Sequence, residues 1–273
     1  MKLSFSSLGC PDWTFDEILT RGREYGYDGV GFRGLGGEMD LTKVPEFLPE
    51  RREASRQQLA AAGLFPNMML TSARLMVEGD AVEENIKLAE GHAALAADLG
   101  SPFIRVFGGP IPSGLSRPAA VRRAAERLRR MGDFAGARGV TVLLETHDDF
   151  IEPDMVRRVM EATDHPSVGV LWDVHHPWRI VERSVAEAWN TLRPWIRSVD
   201  IKDSVTDFSA RLGYRYVKTG EGELPLREAL QLLVGAGYDG WLTFEWEKKW
   251  HPEIPEPEES FPQFVLAIRK ALA

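Results

Sequence analysis

The chain has 273 residues and a formal charge of −8 at pH 7, because 41 acidic side chains outnumber 33 basic ones. An acidic chain is poorly suited to a phosphate backbone, so the composition argues against nucleic acid as a partner. With 44% hydrophobic and 27% charged residues, the chain is typical of a globular protein with a sizeable core.

A single cysteine, Cys10, excludes an intramolecular disulfide and a cysteine-rich zinc site. No stretch approaches the roughly 18 uninterrupted apolar residues that a membrane helix needs. We therefore expect a soluble protein of a reducing compartment, placed in the cytoplasm, with no membrane partner.

Short apolar runs alternate along the whole chain with longer segments of helical periodicity. Eight of these runs predict strands, and those that are apolar on both faces indicate a parallel sheet covered by helices. In chain order the predicted strands are Leu3–Ser7, Gly29–Arg33, Leu64–Leu70, Phe103–Phe107, Val140–Glu145, Val168–Asp173, Ser198–Lys202 and Trp241–Glu245.

Eight further segments predict helices. Several begin with proline in the first turn, and Thr14 with Glu17 has the pattern of a capping box. We interpret Pro252–Glu259, which is rich in proline and glutamate, as a loop before the last helix. In chain order the predicted helices are Thr14–Tyr25, Pro45–Ala62, Ala81–Leu99, Pro118–Ala137, Pro153–Ala162, Val181–Leu192, Pro225–Val234 and Phe261–Leu272.

Eight βα units in a chain of this length predict a (β/α)8 TIM barrel that occupies residues 1–273 as a single domain. An open doubly wound sheet would need a G-x-G-x-x-G turn after the first strand. Gly9-Cys-Pro11 stands there instead. No linker of biased composition divides the chain.

Acidic residues close four successive predicted strands, namely Glu145, Asp173, Asp200 and Glu245. The active site of such a barrel lies at the C-terminal ends of its strands, so these carboxylates are expected on one rim. Like charges crowded in a partly desolvated site repel one another unless a cation neutralises them, which favours a divalent metal ion. Taken singly, each carboxylate is equally typical of a helix cap or a solvated loop.

Three basic residues belong to the same ends of the strands. Residues at even offsets share a face of a strand, so His147 is expected beside Glu145, and Lys202 beside Asp200. Both are candidates for contacting a substrate oxygen, although His147 also fits a structural role. Arg33, at the end of the second strand, is a candidate either for binding an anionic group or for a surface ion pair.

The residues at these strand ends resemble the xylose isomerase-like TIM barrels, a family of sugar-phosphate isomerases and epimerases that also includes inosose and dehydroshikimate dehydratases. The resemblance covers essentially the whole chain. It is carried by Leu144-Glu145-Thr-His147, Asp173 with His176, Ser198-Val-Asp200-Ile-Lys202-Asp203, Gly220-Glu-Gly222-Glu-Leu, and Gly237-Tyr-Asp-Gly240 before Phe244-Glu245.

The resemblance implies a metal ion held by Glu145, Asp173, residue 200 and Glu245, with His176 near the metal or the substrate. At position 200 this sequence has aspartate where the family usually has histidine. An all-carboxylate ligand set favours Mn²⁺ or Mg²⁺ over Zn²⁺. It also overcompensates a divalent ion, so positive charge is expected from Lys202, His176 or an arginine.

The resemblance further implies an isomerase or epimerase of a sugar, ketose or cyclitol. The metal would acidify the proton next to a carbonyl, with Glu145 and Glu245 as the acid–base pair on opposite faces of the reacting carbon. Lys202 and His176 are expected to orient substrate oxygens. Trp13 lies in a predicted loop on the same face, where its ring either stacks on the substrate or packs the loop.

The sequence leaves other functions open. A dehydratase would share the first proton abstraction and then expel a β-hydroxyl group. A repair enzyme of the endonuclease IV type would need further histidines from the early strands, and only His92 precedes the fifth strand. A non-catalytic or partner-dependent subunit would account for the aspartate at position 200. Barrels of this family often pair, so a homodimer is also an expectation.

Overall fold

Among residues 1–272, which a computed structural model describes, ten strands form, and eight of them close into a parallel barrel. Around the barrel the eight follow one another in chain order, so the TIM-barrel prediction is confirmed. The other two form an antiparallel hairpin. The strands are β1 (Lys2–Ser6), β2 (Gly29–Phe32), β3 (Phe65–Arg74), β4 (Phe103–Phe107), β5 (Thr141–Glu145), β6 (Val168–Asp173), β7 (Ile196–Ile201), β8 (Asp203–Thr206), β9 (Tyr214–Val217) and β10 (Trp241–Phe244).

Helices cover the outside of the barrel, and the main apolar core lies between them and the strands. No helix within residues 1–272 combines the length and the apolar character needed to cross a membrane. The helices are α1 (Phe15–Glu24), α2 (Arg52–Ala62), α3 (Ala81–Leu99), α4 (Arg117–Gly136), α5 (Pro153–Thr163), α6 (His175–Ile180), α7 (Val185–Leu192), α8 (Leu226–Gly235) and α9 (Pro257–Leu272).

Local signals place several helix ends where the sequence predicts them. At the start of α1 the Glu17 amide donates to the Thr14 hydroxyl (3.2 Å), and the Thr14 amide donates to the Glu17 carboxylate (2.8 Å). This is the reciprocal capping box, which satisfies two of the unpaired N–H groups at a helix start. At the end of α2, Gly63 has φ +71°, a left-handed conformation that glycine adopts without steric cost.

Three predicted helix boundaries are wrong. The predicted helix Pro45–Ala62 begins only at Arg52, since Leu48 precedes Pro49 and has extended backbone angles, as a residue before proline prefers. The predicted helix Val181–Leu192 begins only at Val185, because a second capping box at Ser184 starts α7, and the short helix α6 before it was not predicted. Helix α9 begins at Pro257 and takes in part of the predicted loop.

The β8–β9 hairpin is absent from the predicted elements and lies between β7 and α8. Its strands are only four residues long, so the apolar alternation in Tyr214-Arg-Tyr-Val217 is too short to stand out. This hairpin accounts for most of the extra chain length between Asp200 and Glu245.

The barrel interior changes character along its axis. A small apolar layer, separate from the main core, is formed by Met68, Leu70, Leu143 and Leu171. Two residues further along β5 and β6, on the same inner face, stand Glu145 and Asp173. The strands therefore carry an apolar floor and present polar side chains at their C-terminal ends.

Candidate active site

Carboxylates from three strands meet at the C-terminal mouth of the barrel. Glu145 ends β5, Asp173 ends β6 and Glu245 directly follows β10, and all three are buried. One oxygen of each lies within 4.8 Å of the others. Neither oxygen of Glu145 accepts a well-directed hydrogen bond from the described residues, and the same holds for Asp173 Oδ2. The structure thus brings together three of the four acids that the sequence analysis singled out.

The fourth acid, Asp200, does not belong to this group. It is buried and stands between Asp173 and Thr243 in the register of the sheet, but it belongs to none of the groups of side chains whose ligand atoms lie within 4.8 Å of one another. Its Oδ2 has no hydrogen-bond partner among the described residues. Burial, reinforced by the charges of Glu245 and Glu145, holds the pKa of Asp200 well above its usual value. The expected four-carboxylate cluster is therefore a group of three, with a protonatable acid beside it.

Lys202 lies among the acids instead of projecting toward the open cavity. Its ammonium is fully buried and lies 2.7 Å from Asp173 Oδ2, 2.9 Å from Glu247 Oε1 and in direct contact with Glu245 Oε2. Although burial opposes the charge, the surrounding carboxylates hold the pKa of Lys202 well above its ordinary value. Lys202 is thus a permanent cation that neutralises part of the acidic cluster.

Glu247 was missed by the sequence analysis. It stands two residues beyond Glu245 and is buried, with Lys202 as its partner. Despite burial, Lys202 holds its pKa below the usual value. His147 and Lys202 were placed by the rule that residues at even offsets share a face of a strand. Applied to Glu245, the same rule predicts that Glu247, two residues later, also faces inward.

Arg105 is a second missed residue, and it neutralises Glu145. Its Nε lies 2.9 Å from Glu145 Oε2, and both side chains are almost completely buried. Its Nη1 donates to the Thr71 carbonyl at 2.8 Å, and its guanidinium lies over the Phe107 ring. The available signal was a charged residue in the middle of the otherwise apolar run Phe103-Ile-Arg-Val-Phe107.

Asp173 also fixes the position of His176. Its Oδ1 accepts the backbone N–H groups of His175 (2.8 Å) and His176 (3.2 Å) at the start of α6. His176 Nδ1 lies 2.9 Å from Asp173 Oδ2 and 3.1 Å from the Thr146 carbonyl oxygen. A carbonyl oxygen can only accept a hydrogen bond, so we assign the ring proton to Nδ1. The lone pair of Nε2 is then free to bind a metal ion.

His147 lies at the edge of this cluster. Its ring stands edge-on to His176, with 4.8 Å between the ring centroids, and Nδ1 is 3.0 Å from Asp148 Oδ1. Burial opposes protonation, but Asp148 and Glu145 together raise the pKa of His147. Glu145, His147 and His176 form a second group whose ligand atoms lie within 4.8 Å of one another, so nitrogen donors adjoin the carboxylates.

Of the remaining two predicted site residues, Trp13 packs within the fold and Arg33 faces the cavity. Trp13 is buried against Phe5 and Phe261, with its indole N–H donating to Glu258, so its ring packs the fold and has no free face for a substrate. Arg33 is also buried, and it stands two residues after Gly31, which pairs with Met68 of the inner apolar layer. Arg33 therefore faces the cavity.

Asp203 anchors the loop that carries the Gly220-Glu-Gly222 motif. Its carboxylate accepts backbone N–H groups from Gly220 (2.9 Å), Gly222 (3.0 Å) and Leu224 (3.0 Å). A β-carbon on Gly222 would lie only 2.1 Å from Asp203 Oδ1, so only glycine allows this approach. Since Asp203 follows Lys202 directly, this loop holds the end of β7 and its lysine in place.

Comparison with known proteins is consistent with this geometry. The sequence profile of the xylose isomerase-like TIM barrel family matches residues 19–269. The chain belongs to this family. A curated relative, an inosose dehydratase from Bacillus licheniformis, is 26% identical over 170 residues, which are 55% of this chain and 52% of that protein. The chain thus spans about half the length of the curated relative that it matches.

Solved structures share the whole fold. A probable 3-DHS dehydratase from Bacillus anthracis superposes with a TM-score of 0.79 at 20% identity, covering 100% of this chain and 99% of that one. The 3-keto-D-glucoside 4-epimerase of E. coli gives 0.77 at 18%, covering 99% of both chains. A xylose isomerase-like barrel from Mycobacterium smegmatis in complex with magnesium gives 0.74 at 20%, covering 99% and 95%. At these identities the likeness shows the fold of the xylose isomerase-like barrel alone.

We predict that the Arg105–Glu145 pair is strongly coupled in this barrel. Arg105→Met leaves a buried carboxylate without its cation and is expected to lower the free energy of unfolding of the metal-free protein by about 3–5 kcal/mol. The double variant R105M/E145Q leaves no unpaired charge and is expected to lose less than the sum of the single variants. Urea unfolding of the four proteins measures this cycle. Strictly additive losses would contradict the coupling.

Proposed function

We propose that this chain is a divalent-metal-dependent isomerase or epimerase that removes the proton next to a carbonyl group of a sugar, ketose or cyclitol. The observation that carries the proposal is the convergence of Glu145, Asp173 and Glu245 at the C-terminal mouth of the barrel, where one oxygen of each lies within 4.8 Å of the others. Catalytic residues of TIM-barrel enzymes come from this face, on the ends of several strands.

The charge balance of the cavity fits a divalent cation. Five buried carboxylates face three buried basic side chains, which is a formal excess of two negative charges when every acid is ionised. Hard oxygen donors favour Mg²⁺ or Mn²⁺, and three oxygens within 4.8 Å of one another are close enough to share one ion. The acids are Glu145, Asp173, Asp200, Glu245 and Glu247, and the bases are Arg33, Arg105 and Lys202.

Glu145, Asp173 and Glu245 would hold the ion, with the free Nε2 of His176 beside them. A bound Mg²⁺ or Mn²⁺ supplies Lewis acidity at neighbouring carbonyl and hydroxyl oxygens, which acidifies the proton between them. The M. smegmatis relative solved with magnesium supports this choice of metal.

Glu245 is the base that the electrostatics favour. In the metal-free protein, burial, together with the charges of Glu145 and Glu247, raises its pKa to about 8 even though Lys202 opposes the shift. A base works best when its pKa lies near the working pH, so Glu245 can both take and return a proton. Glu145, which ends β5, would be the partner that exchanges a proton on the other face of the reacting carbon. Lys202 and His176 fix these acids in position.

A dehydratase is the second candidate, and the inosose dehydratase match favours it. The first step is the same removal of a proton by a carboxylate. A dehydratase then protonates a leaving hydroxyl group on the next carbon. His147, whose pKa is raised by Asp148 and Glu145, lies beside His176 and is a suitable acid for that step.

Replacing Glu245 tests the proposed base. Glu245→Gln is expected to reduce proton removal by about 10²- to 10⁴-fold, because a general base of this kind contributes that much. Folding should change little, since Lys202 keeps Asp173 and Glu247 as partners. The readout is mass spectrometry of ketoses and inosose incubated with the magnesium-loaded protein in D2O. Deuterium gain without loss of water marks an isomerase or epimerase, and loss of water marks a dehydratase.

Asp16→Asn, at an exposed acid in the first turn of α1, is the matched control and should retain full exchange. Exchange by E245Q at the wild-type rate would contradict the role of Glu245.

The affinity for a metal ion should depend strongly on Asp173 and only weakly on Asp200. Asp173→Asn is expected to weaken Mn²⁺ and Mg²⁺ binding by more than about 100-fold, beyond the 10- to 100-fold that loss of an outer partner costs. The amide oxygen of the new side chain can still accept the two N–H groups that start α6, so the helix should be retained. Asp200→Asn is expected to stay within about tenfold of wild type. Titration calorimetry on EDTA-treated protein measures the metal affinities of both variants. Equal losses of affinity in the two variants would contradict the three-carboxylate site and support four carboxylate ligands.

A further inference from the structure

The cavity has an acidic side and a basic side. Glu145, Asp173, Lys202 and Glu245 come from β5, β6, β7 and β10, which are consecutive around the barrel. Arg33 follows β2, which stands on the other side of the barrel from β6, with three strands between them in either direction. A molecule that reaches the acidic cluster with one end therefore presents its other end to Arg33.

Arg33 is a buried cation without an anion. Its side chain is 8% exposed, Nη1 has no hydrogen-bond partner, and no described carboxylate lies within the 4.0 Å of an ion pair. The other buried basic side chains of the cavity are satisfied, because Arg105 pairs with Glu145 and Lys202 with three acids. Burying a charge without a partner is costly, so a cation kept in this position calls for an anion from outside the chain.

The surroundings of Arg33 point to an anion carrying one charge. Burial, and then the like charge of Arg105, lowers the pKa of Arg33 to about 9, so the guanidinium is still charged at neutral pH. Arg105 already uses Nε and Nη1, and Arg74 is exposed, so Arg33 is the one unpaired buried cation among the described cavity residues. A doubly charged phosphate would keep one of its two charges without a cation, since the described cavity residues offer no second unpaired buried base.

We propose that Arg33 binds a carboxylate of the substrate, so that the substrate of this site is a monocarboxylic sugar acid or cyclitol acid instead of a neutral sugar. The planar guanidinium matches the two oxygens of a carboxylate with two parallel hydrogen bonds. The polyol or keto end of the same molecule then reaches the acidic side. This inference rests on the proposed function, since it takes the same cavity as the substrate site.

Paired probes test the proposal directly. D-gluconate is compared with D-sorbitol, and quinate with myo-inositol, by calorimetric titration of the full-length protein with and without Mg²⁺. In each pair the carboxylate is expected to bind at least about tenfold tighter, as a charge-assisted hydrogen-bonded pair gives. Arg33→Gln should remove this preference, and Arg157→Gln, an arginine on α5 outside the cavity, should leave it unchanged.

Several results would overturn the proposal. These are equal binding within the pairs, a preference that survives in R33Q, and tighter binding of D-galactose 6-phosphate than of either carboxylate. Should R33Q fail to fold, Arg33→Lys keeps the charge without the planar fork, and the preference must then fall several-fold. Measuring without Mg²⁺ separates carboxylate binding by Arg33 from the proposed metal-dependent proton removal. If the metal-free protein prefers the carboxylate and loses this preference in R33Q, the role of Arg33 holds even if no metal-dependent proton exchange is found.

Discussion

The buried ammonium of Lys202 is the interaction on which the rest of the candidate site depends. It touches Asp173, Glu245 and Glu247, which come from two different strands of the barrel. Without this cation, three carboxylates would repel one another in a cavity where water screens little. Asp203, the next residue, is bonded to three backbone amides of the following loop, so the lysine is held from its own strand as well.

Arg105 neutralises Glu145, whereas Lys202 is the cation that contacts Asp173, Glu245 and Glu247. With Arg33 also counted, the five buried acids of the cavity keep a formal excess of two negative charges, and two of these acids, Asp200 and Glu245, have raised pKa values. Protons on these two acids, or one divalent ion at the mouth, can each balance that excess. The same geometry thus explains why a metal fits the site and why Glu245 is suited to carry a proton.

The fold and the inner face of the barrel could be predicted from the sequence because both follow from periodicity. The alternation of strands and helices gives the barrel, and the even-offset rule places Glu145, Asp173 and Lys202 on the inner face. The distances between these side chains could not be predicted, since they depend on the register between strands and on the side-chain conformations. For that reason Asp200 was placed among the ligands, although it belongs to none of the groups of side chains whose ligand atoms lie within 4.8 Å of one another.

Pairing between side chains was also beyond the sequence. Lys202 was expected to contact a substrate or to supply positive charge to the acids, but the sequence does not show that its partners lie on β6 and in the segment after β10. Trp13 was expected either to stack on a substrate or to pack its loop, and its contact with Phe261 of α9 shows that it packs the fold. The cytoplasmic location and the homodimer stay predictions.

The most direct test of the account is the position of a bound ion. Crystals grown with Mn²⁺ and measured at the manganese absorption edge would locate it by anomalous scattering. The account predicts one peak about 2.0–2.3 Å from oxygens of Glu145, Asp173 and Glu245, with Asp200 outside the ligand shell. A peak ligated by Asp200, or no peak while Lys202 fills the space among the acids, would contradict it.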